Sequence, residues 1–247
     1  MKPLKVQFHV HTGEDPIECP KHNAKQMLDF AAEKKYDVVS ITLHNMLLFT
    51  DELKGYAEKL NILLIPGIEK NIGRRHVLII NATKEAENIH TFYDLCRYRK
   101  SHPDCLVIAP HPYYPRGFCL QEKLLENINL FDAIEESWFF TEKFNMFNKK
   151  AERVAKLHKK ALLGTSDNHM LQYFDQGYSL VHAEKNWKAI REAVLANKIE
   201  SKTTPLSAGD FMKITARTII EFDIPYQFRS IKRALSGSKT KTTEKQL

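Results

Sequence analysis

The 247-residue chain is 43% hydrophobic and 27% charged, enough apolar material for one large core and enough charge for solubility. No run of about 18 apolar residues occurs, which excludes a membrane-spanning helix, and residues 1–10 lack the apolar stretch and cleavage site of a secretion signal, so a cytoplasmic protein with no membrane partner is expected. The four cysteines, Cys19, Cys96, Cys105 and Cys119, form no C-x-x-C pair, which argues against a zinc knuckle or a disulfide framework; most of the net charge of +7 lies at the end, where residues 228–247 carry six basic groups against one acid.

Apolar, β-branched runs alternate with longer amphipathic stretches, the rhythm of parallel β/α units. A first strand is predicted over 4–10 and a helix over 24–35, where Met27, Phe30 and Ala31 form an apolar stripe edged by Lys34 and Lys35. Strand 37–43, helix 51–60 and strands 62–68 and 77–81 follow, then helix 84–100, strand 106–109, helix 120–127, strand 131–134, helix 142–158 and strand 161–165. A strand at 178–181 and a helix at 187–196 precede Pro205, after which an apolar stretch, 211–222, reads as an appendage closing the barrel. The expected division is a barrel over 1–200, a C-terminal helical extension packed on it over 201–235, and a basic disordered tail over 236–247.

The ligand-type residues follow the strands. His9 and His11 end the first strand two positions apart, so strand periodicity sends both imidazoles to one side. His44 ends the second strand and Glu69 the third; His111 follows the fifth, Glu135 and Glu136 the sixth, and Asp167 and His169 the seventh. All lie at carboxyl ends, the rim where βα loops of a parallel α/β fold converge. His76 precedes the apolar run 78–80, and Asp15 lies four residues beyond His11, so both are further candidate ligands from rim loops. His22, His90, His102, His158 and His182 lie in or beside helices or on a separate strand and read as structural or exposed.

A set rich in neutral imidazole with a few carboxylates suits zinc, manganese or iron better than calcium. The candidates outnumber the ligands of one tetrahedral ion, so two or three divalent ions are implied, with Glu69 or Asp167 suited to bridging. No G-x-S-x-G, Walker loop or Rossmann glycine pattern occurs, so activated water is the expected nucleophile. Arg74, Arg75 and Arg116 lie on rim loops, where a guanidinium is placed to clamp a phosphate, and Tyr113 and Tyr114 to line a pocket.

Five stretches in order, His9-Val10-His11-Thr12, Ile41-Thr42-Leu43-His44-Asn45, Pro66-Gly67-Ile68-Glu69, Ala109-Pro110-His111-Pro112 and Gly164-Thr165-Ser166-Asp167-Asn168-His169, resemble the motifs of the PHP (polymerase and histidinol phosphatase) family over roughly residues 4–200. The resemblance implies an α/β fold, a distorted seven-stranded TIM-like (β/α)7 barrel, with two or three metals in a cleft at the strand ends. It also implies that His9, His11, Glu69 and Asp167 hold one metal, that His44 and His169 help hold another, and that His76 and His111 share Glu69 around a third. Two stretches depart from the family pattern: Leu43 stands where T-D-H has its acid, and Gly13-Glu14-Asp15-Pro16 replaces an S-D-G loop.

The activity implied is hydrolysis of a phosphate ester of a small metabolite or nucleotide by metal-activated hydroxide, with histidinol phosphate one candidate. A nuclease or nucleic-acid-processing accessory, a metal-binding regulatory module without turnover, and hydrolysis of a carbon–nitrogen bond are the alternatives.

Overall fold

The computed structural model describes residues 2–18 and 20–218; the expected tail, and residues 219–235 of the expected extension, lie outside them. The strands are β1 (Leu4–Gln7), β2 (Val38–Ile41), β3 (Leu63–Ile72), β4 (Arg75–Ile80), β5 (Leu106–Ala109), β6 (Ala133–Ser137), β7 (Ala161–Thr165), β8 (Gly177–Val181) and β9 (Ile199–Thr203). The helices are α1 (Ala24–Glu33), α2 (Asp51–Lys59), α3 (Phe92–Ser101), α4 (Glu122–Glu126), α5 (Met146–Leu157), α6 (Trp187–Leu195) and α7 (Ala208–Thr218).

The strands form one sheet in the order β7-β6-β5-β4-β3-β2-β1-β8-β9, so nine strands stand where seven were expected. β1, β2 and β3 are parallel, as are β5, β6 and β7. Between them β4 runs antiparallel to both neighbours, because a two-residue turn at Gly73 and Arg74 folds it directly back on β3. Both turn residues have positive φ, 55° and 68°, the hand that matches the twist of a tight hairpin. β8 and β9 extend the sheet beyond β1 as antiparallel strands.

The sheet curls until its edges meet. A parallel bridge joins Val10 to Asn168, and His11 N donates to Asn168 O at 3.1 Å, tying the rim end of β1 to that of β7. Lower down, Gln7 accepts from Ser166 N at 3.1 Å and donates to Gly177 O at 2.7 Å. Gly164 permits this closure: a Cβ there would lie 2.5 Å from Tyr178 O and 2.7 Å from Ser201 Oγ.

Val6, Phe8, Val38, Leu78, Ile108 and Leu163 fill the barrel interior together with Ile190 and Val194 of α6. Because Arg191 of that helix donates to the carbonyls of Pro103 and Cys105, just before β5, α6 plugs the end opposite the rim. Outside, α1 and α2 cover β1–β3, and α3, α4 and α5 cover β3–β6, in two further apolar layers. The helix expected over 84–100 is divided, a 3-10 turn at Lys84–Asn88 and then α3, whose Thr91 and Asp94 form a capping box.

The first strand is also interrupted where a continuous run over 4–10 was expected. Val6 and Phe8 belong to the interior layer but Val10 to the outer one, so the alternation of sides changes between Phe8 and His9, beyond the end of β1. That irregularity aims His9 and His11 above the interior core rather than into the helix layer.

Candidate metal centre

On the rim, directly above the interior layer, six imidazoles and two carboxylates meet. His9 Nε2 lies 3.4 Å from Glu69 Oε1 and 3.3 Å from Asp167 Oδ1, and His11 Nε2 lies 3.3 Å from Glu69 Oε2 and 3.4 Å from Asp167 Oδ1. His44 Nε2 approaches Glu69 Oε2 at 3.1 Å, and His76 Nδ1 and His111 Nε2 approach Glu69 Oε1 at 2.8 and 3.4 Å. His169 Nδ1 lies 3.6 Å from Asp167 Oδ1. Of the expected ligands, the six histidines, Glu69 and Asp167 are therefore in one place, while Asp15 stands behind His11 and His44.

The donor atoms face shared points rather than one another. His9 Nε2, His11 Nε2, His76 Nδ1 and Glu69 Oε1 are buried and have no hydrogen-bond partner, although His76 Nδ1 and Glu69 Oε1 are only 2.8 Å apart. Proximity without hydrogen-bond alignment is the arrangement of ligands around a common cation. Five overlapping triads keep their ligand atoms within 4.8 Å of one another, among them His9-His11-Glu69, His11-Asp167-His169 and His44-Glu69-His76. The residues present thus fit divalent metal ions.

The backs of these imidazoles are held. Asp15 Oδ2 lies 2.9 Å from both His11 Nδ1 and His44 Nδ1 and accepts from His44 N, while Asp15 Oδ1 accepts from Ile17 N and Glu18 N. Glu135, fully buried, places Oε2 2.8 Å from His9 Nδ1 and accepts from His111 N through Oε1 at 3.2 Å. Its neighbour Glu136 turns the other way and accepts from Ser201. Leu43 faces the helix layer, where it is buried against α1 and α2.

Electrostatics follow from this packing. Burial disfavours a charged His9, but Asp167, Glu69 and Glu135 outweigh it and raise the imidazole pKa from 6.5 to about 9. Burial likewise opposes charge on His11 and His111, yet both are raised well above the ordinary range, His11 through Asp15, Asp167 and Glu69. Burial pushes Glu69 and Asp167 up, but His76 and His9, respectively the foremost of their imidazole neighbours, hold both carboxyls well below their usual values. His76 goes the other way, lowered because burial outweighs Glu69 there, so the charged form is favoured at His9, His11, His111 and the two acids but not at every imidazole.

Backbone strain collects at the same rim. Asn45, His111 and Asp167 all have positive φ, 57°, 27° and 41°, a region that L residues enter at a cost of about 1–3 kcal/mol where it is sparsely populated. Asn45 N donates to Glu69 O, and its side chain accepts from Asn71 N, which fixes the ends of β2 and β3 together.

The arginines differ among themselves. Arg75 Nη1 donates to Gly117 O at 2.6 Å and Cys119 O at 2.7 Å, so it clamps the loop after His111. Arg74 is exposed at the hairpin tip, and Arg116 is half-buried in that loop. Tyr113 is buried in the outer core, and Tyr114 donates to Phe139 O at 2.6 Å. Three neighbours of the centre escaped sequence reasoning: Glu18, whose Oε2 lies 2.5 Å from His169 Nε2; Cys119, whose Sγ lies 3.4 Å from His111 Nδ1; and Phe118, stacked on His76. Only Glu18 left a trace, as a second acid three residues beyond Asp15 in the first loop. His22, expected to be structural, is buried beneath the rim, its Nε2 3.1 Å from His11 O.

No protein-family model matches the chain, and no curated protein matches it in sequence. Solved structures do match its fold. A two-domain protein from Bacteroides vulgatus containing a predicted PHP-like metal-dependent phosphoesterase aligns over 85% of this chain and 68% of its own, with 20% identity and a TM-score of 0.65. PsfC from Pseudomonas syringae aligns over 90% and 98%, with 17% identity and a TM-score of 0.55. The lesion-specific endonuclease PfuEndoQ from Pyrococcus furiosus aligns over 86% of this chain but 66% of its own, with 13% identity and a TM-score of 0.56. The α/β barrel expected from the motifs is thus the fold observed, with more strands and mixed directions.

Proposed function

We propose that the chain is a PHP-type metal-dependent phosphoesterase acting on a small phosphorylated metabolite or nucleotide. The observation that carries the proposal is the set of buried, unpartnered imidazole nitrogens gathered around Glu69 and Asp167. His9, His11, Glu69 and Asp167 would hold one ion; His44 and His169, with Glu18, a second; His76 and His111, sharing Glu69, a third. Bound divalent ions would supply a nucleophile at neutral pH by lowering the pKa of coordinated water, and would neutralise charge on the phosphoryl oxygens.

The chain's own side chains prepare that chemistry. Asp15 and Glu135 act as positioning residues rather than ligands, fixing the Nδ1 side of His11, His44 and His9 so that Nε2 faces the pocket. Ionised Glu69 and Asp167 lie between the imidazoles, where each carboxylate reaches two or more of them. Arg74 and Arg116 are the phosphate-binding candidates, whereas Arg75 holds a loop in place.

Elemental analysis of the purified protein should find two or more equivalents of transition metal. Added manganese or zinc should then support hydrolysis of p-nitrophenyl phosphate, and His9→Ala or Asp167→Ala should reduce turnover by about a hundredfold or more. Metal in that amount with no ester turned over would favour the regulatory module, and failure to hold metal would end the proposal. A nuclease is the second reading, supported by the fold likeness to endonuclease Q, one structure of which holds a duplex with an abasic lesion at its active site. Cleavage of an abasic duplex faster than of p-nitrophenyl phosphate would select it.

A further inference from the structure

Phe118 is 41% exposed and packs against buried polar groups. Its ring stacks on His76 with centroids 4.6 Å apart and planes 18° from parallel, and it meets His111 edge-on at 5.5 Å. Both imidazoles belong to the cluster around Glu69. One face of the ring is therefore covered by the centre, and the exposed remainder stands beside it.

This placement is rigid. Phe118 O accepts from His76 N at 2.8 Å, and Arg75 donates to the carbonyls on either side, those of Gly117 and Cys119. Cys119 is buried with its thiol against His111. The backbone around Phe118 is thus anchored on both sides, and the ring presents its outer surface beside the polar centre, where a ligand bound there would lie.

We propose that Phe118 is a specificity-determining residue that stacks on a flat, unsaturated ring in the leaving group of the phosphate ester, selecting aryl or heterocyclic esters over alkyl ones. The inference rests on the phosphoesterase reading for its chemistry. The ring's geometry decides the class: an aromatic or heterocyclic leaving group gains offset or edge contacts with Phe118 beyond area burial, which an alkyl group does not receive.

The test measures ratios. Calorimetry on metal-loaded protein compares phenylphosphonate with methylphosphonate, and kinetics compare phenyl phosphate and adenosine 5′-monophosphate with glycerol 2-phosphate. In the wild-type protein the ring-bearing member of each pair is expected to be favoured. Phe118→Ala should lower each ratio by roughly three- to tenfold, and Phe118→Tyr should retain it. The phenyl and adenosine arms separate a ring carried directly on the ester oxygen from one carried across a ribose. Ratios unchanged in Phe118→Ala, or both members of each pair weakened alike, overturn the proposal. If no ester is hydrolysed, the phosphoesterase reading fails while the phosphonate ratio still decides the role of Phe118; binding of neither phosphonate overturns both.

Discussion

Asp15 and Glu135 lie on the Nδ1 side of the cluster, and there they settle which imidazole nitrogen faces the pocket. Replacing Glu135 by Ala frees His9 and leaves His111 N without its acceptor, so metal affinity should fall about 10- to 100-fold while the circular dichroism spectrum stays that of the parent. Unchanged affinity would show that His9 needs no support. His9 also sets a pH dependence for protein stripped of metal by a chelator. Its folded-state pKa of about 9 exceeds the ordinary 6.5, so its contribution to stability is fully present below 6.5 and is lost as pH rises through about 9. Thermal unfolding of stripped protein should therefore move to lower temperature across that window, and a flat profile would contradict the charge balance described for the pocket. At this scale H-x-H and D-x-H were legible because strand spacing makes neighbours of them. Glu18 and Phe118 were not, because they enter from loops whose path no periodicity encodes.

Among the elements, what could be read depended on how much apolar signal each carried. β5 and β7 fall at the boundaries expected, since short apolar runs leave little choice. β9 was hidden: Ile199–Thr203 offers one large apolar residue and alternates only half-buried with exposed positions, the pattern of an edge. The run 77–81 is legible as a strand but not as antiparallel, because direction is set by the two-residue turn at Gly73-Arg74 rather than by the strand's own residues. β7 makes the most exacting approach, through Gly164. Gly164→Ala would press a methyl against Tyr178 O and should cost about 1–3 kcal/mol in urea unfolding, whereas Gly55→Ala, with open space around it, should not. Equal stability of the two variants would mean that the seam between β7 and β8 is loose.

For the molecule as a whole, α6 plugs one end of the barrel and the centre occupies the other. Ions held by residues from β1, β2, β3 and β7 would bind the folded state and not the unfolded chain, so manganese or zinc at about a hundred times its dissociation constant should add about 2.7 kcal/mol. The midpoint of thermal unfolding should rise accordingly and return on addition of a chelator; identical midpoints would argue against ions at this rim. The architecture was legible as a class from the alternation of strands and helices. Its closure was not, because the seam is made by Gln7, Ser166 and Asn168, residues whose pairing is visible only in three dimensions.

The bridge between Val10 and Asn168 has a bearing on how the protein is made. His9 and His11 leave the ribosome long before Asp167 and His169, which follow all the β/α units between them. An ion that needs both sets would therefore be loaded only once Asp167 has emerged, and nascent fragments ending before it would leave the exit tunnel with the early histidines unprotected against adventitious ions.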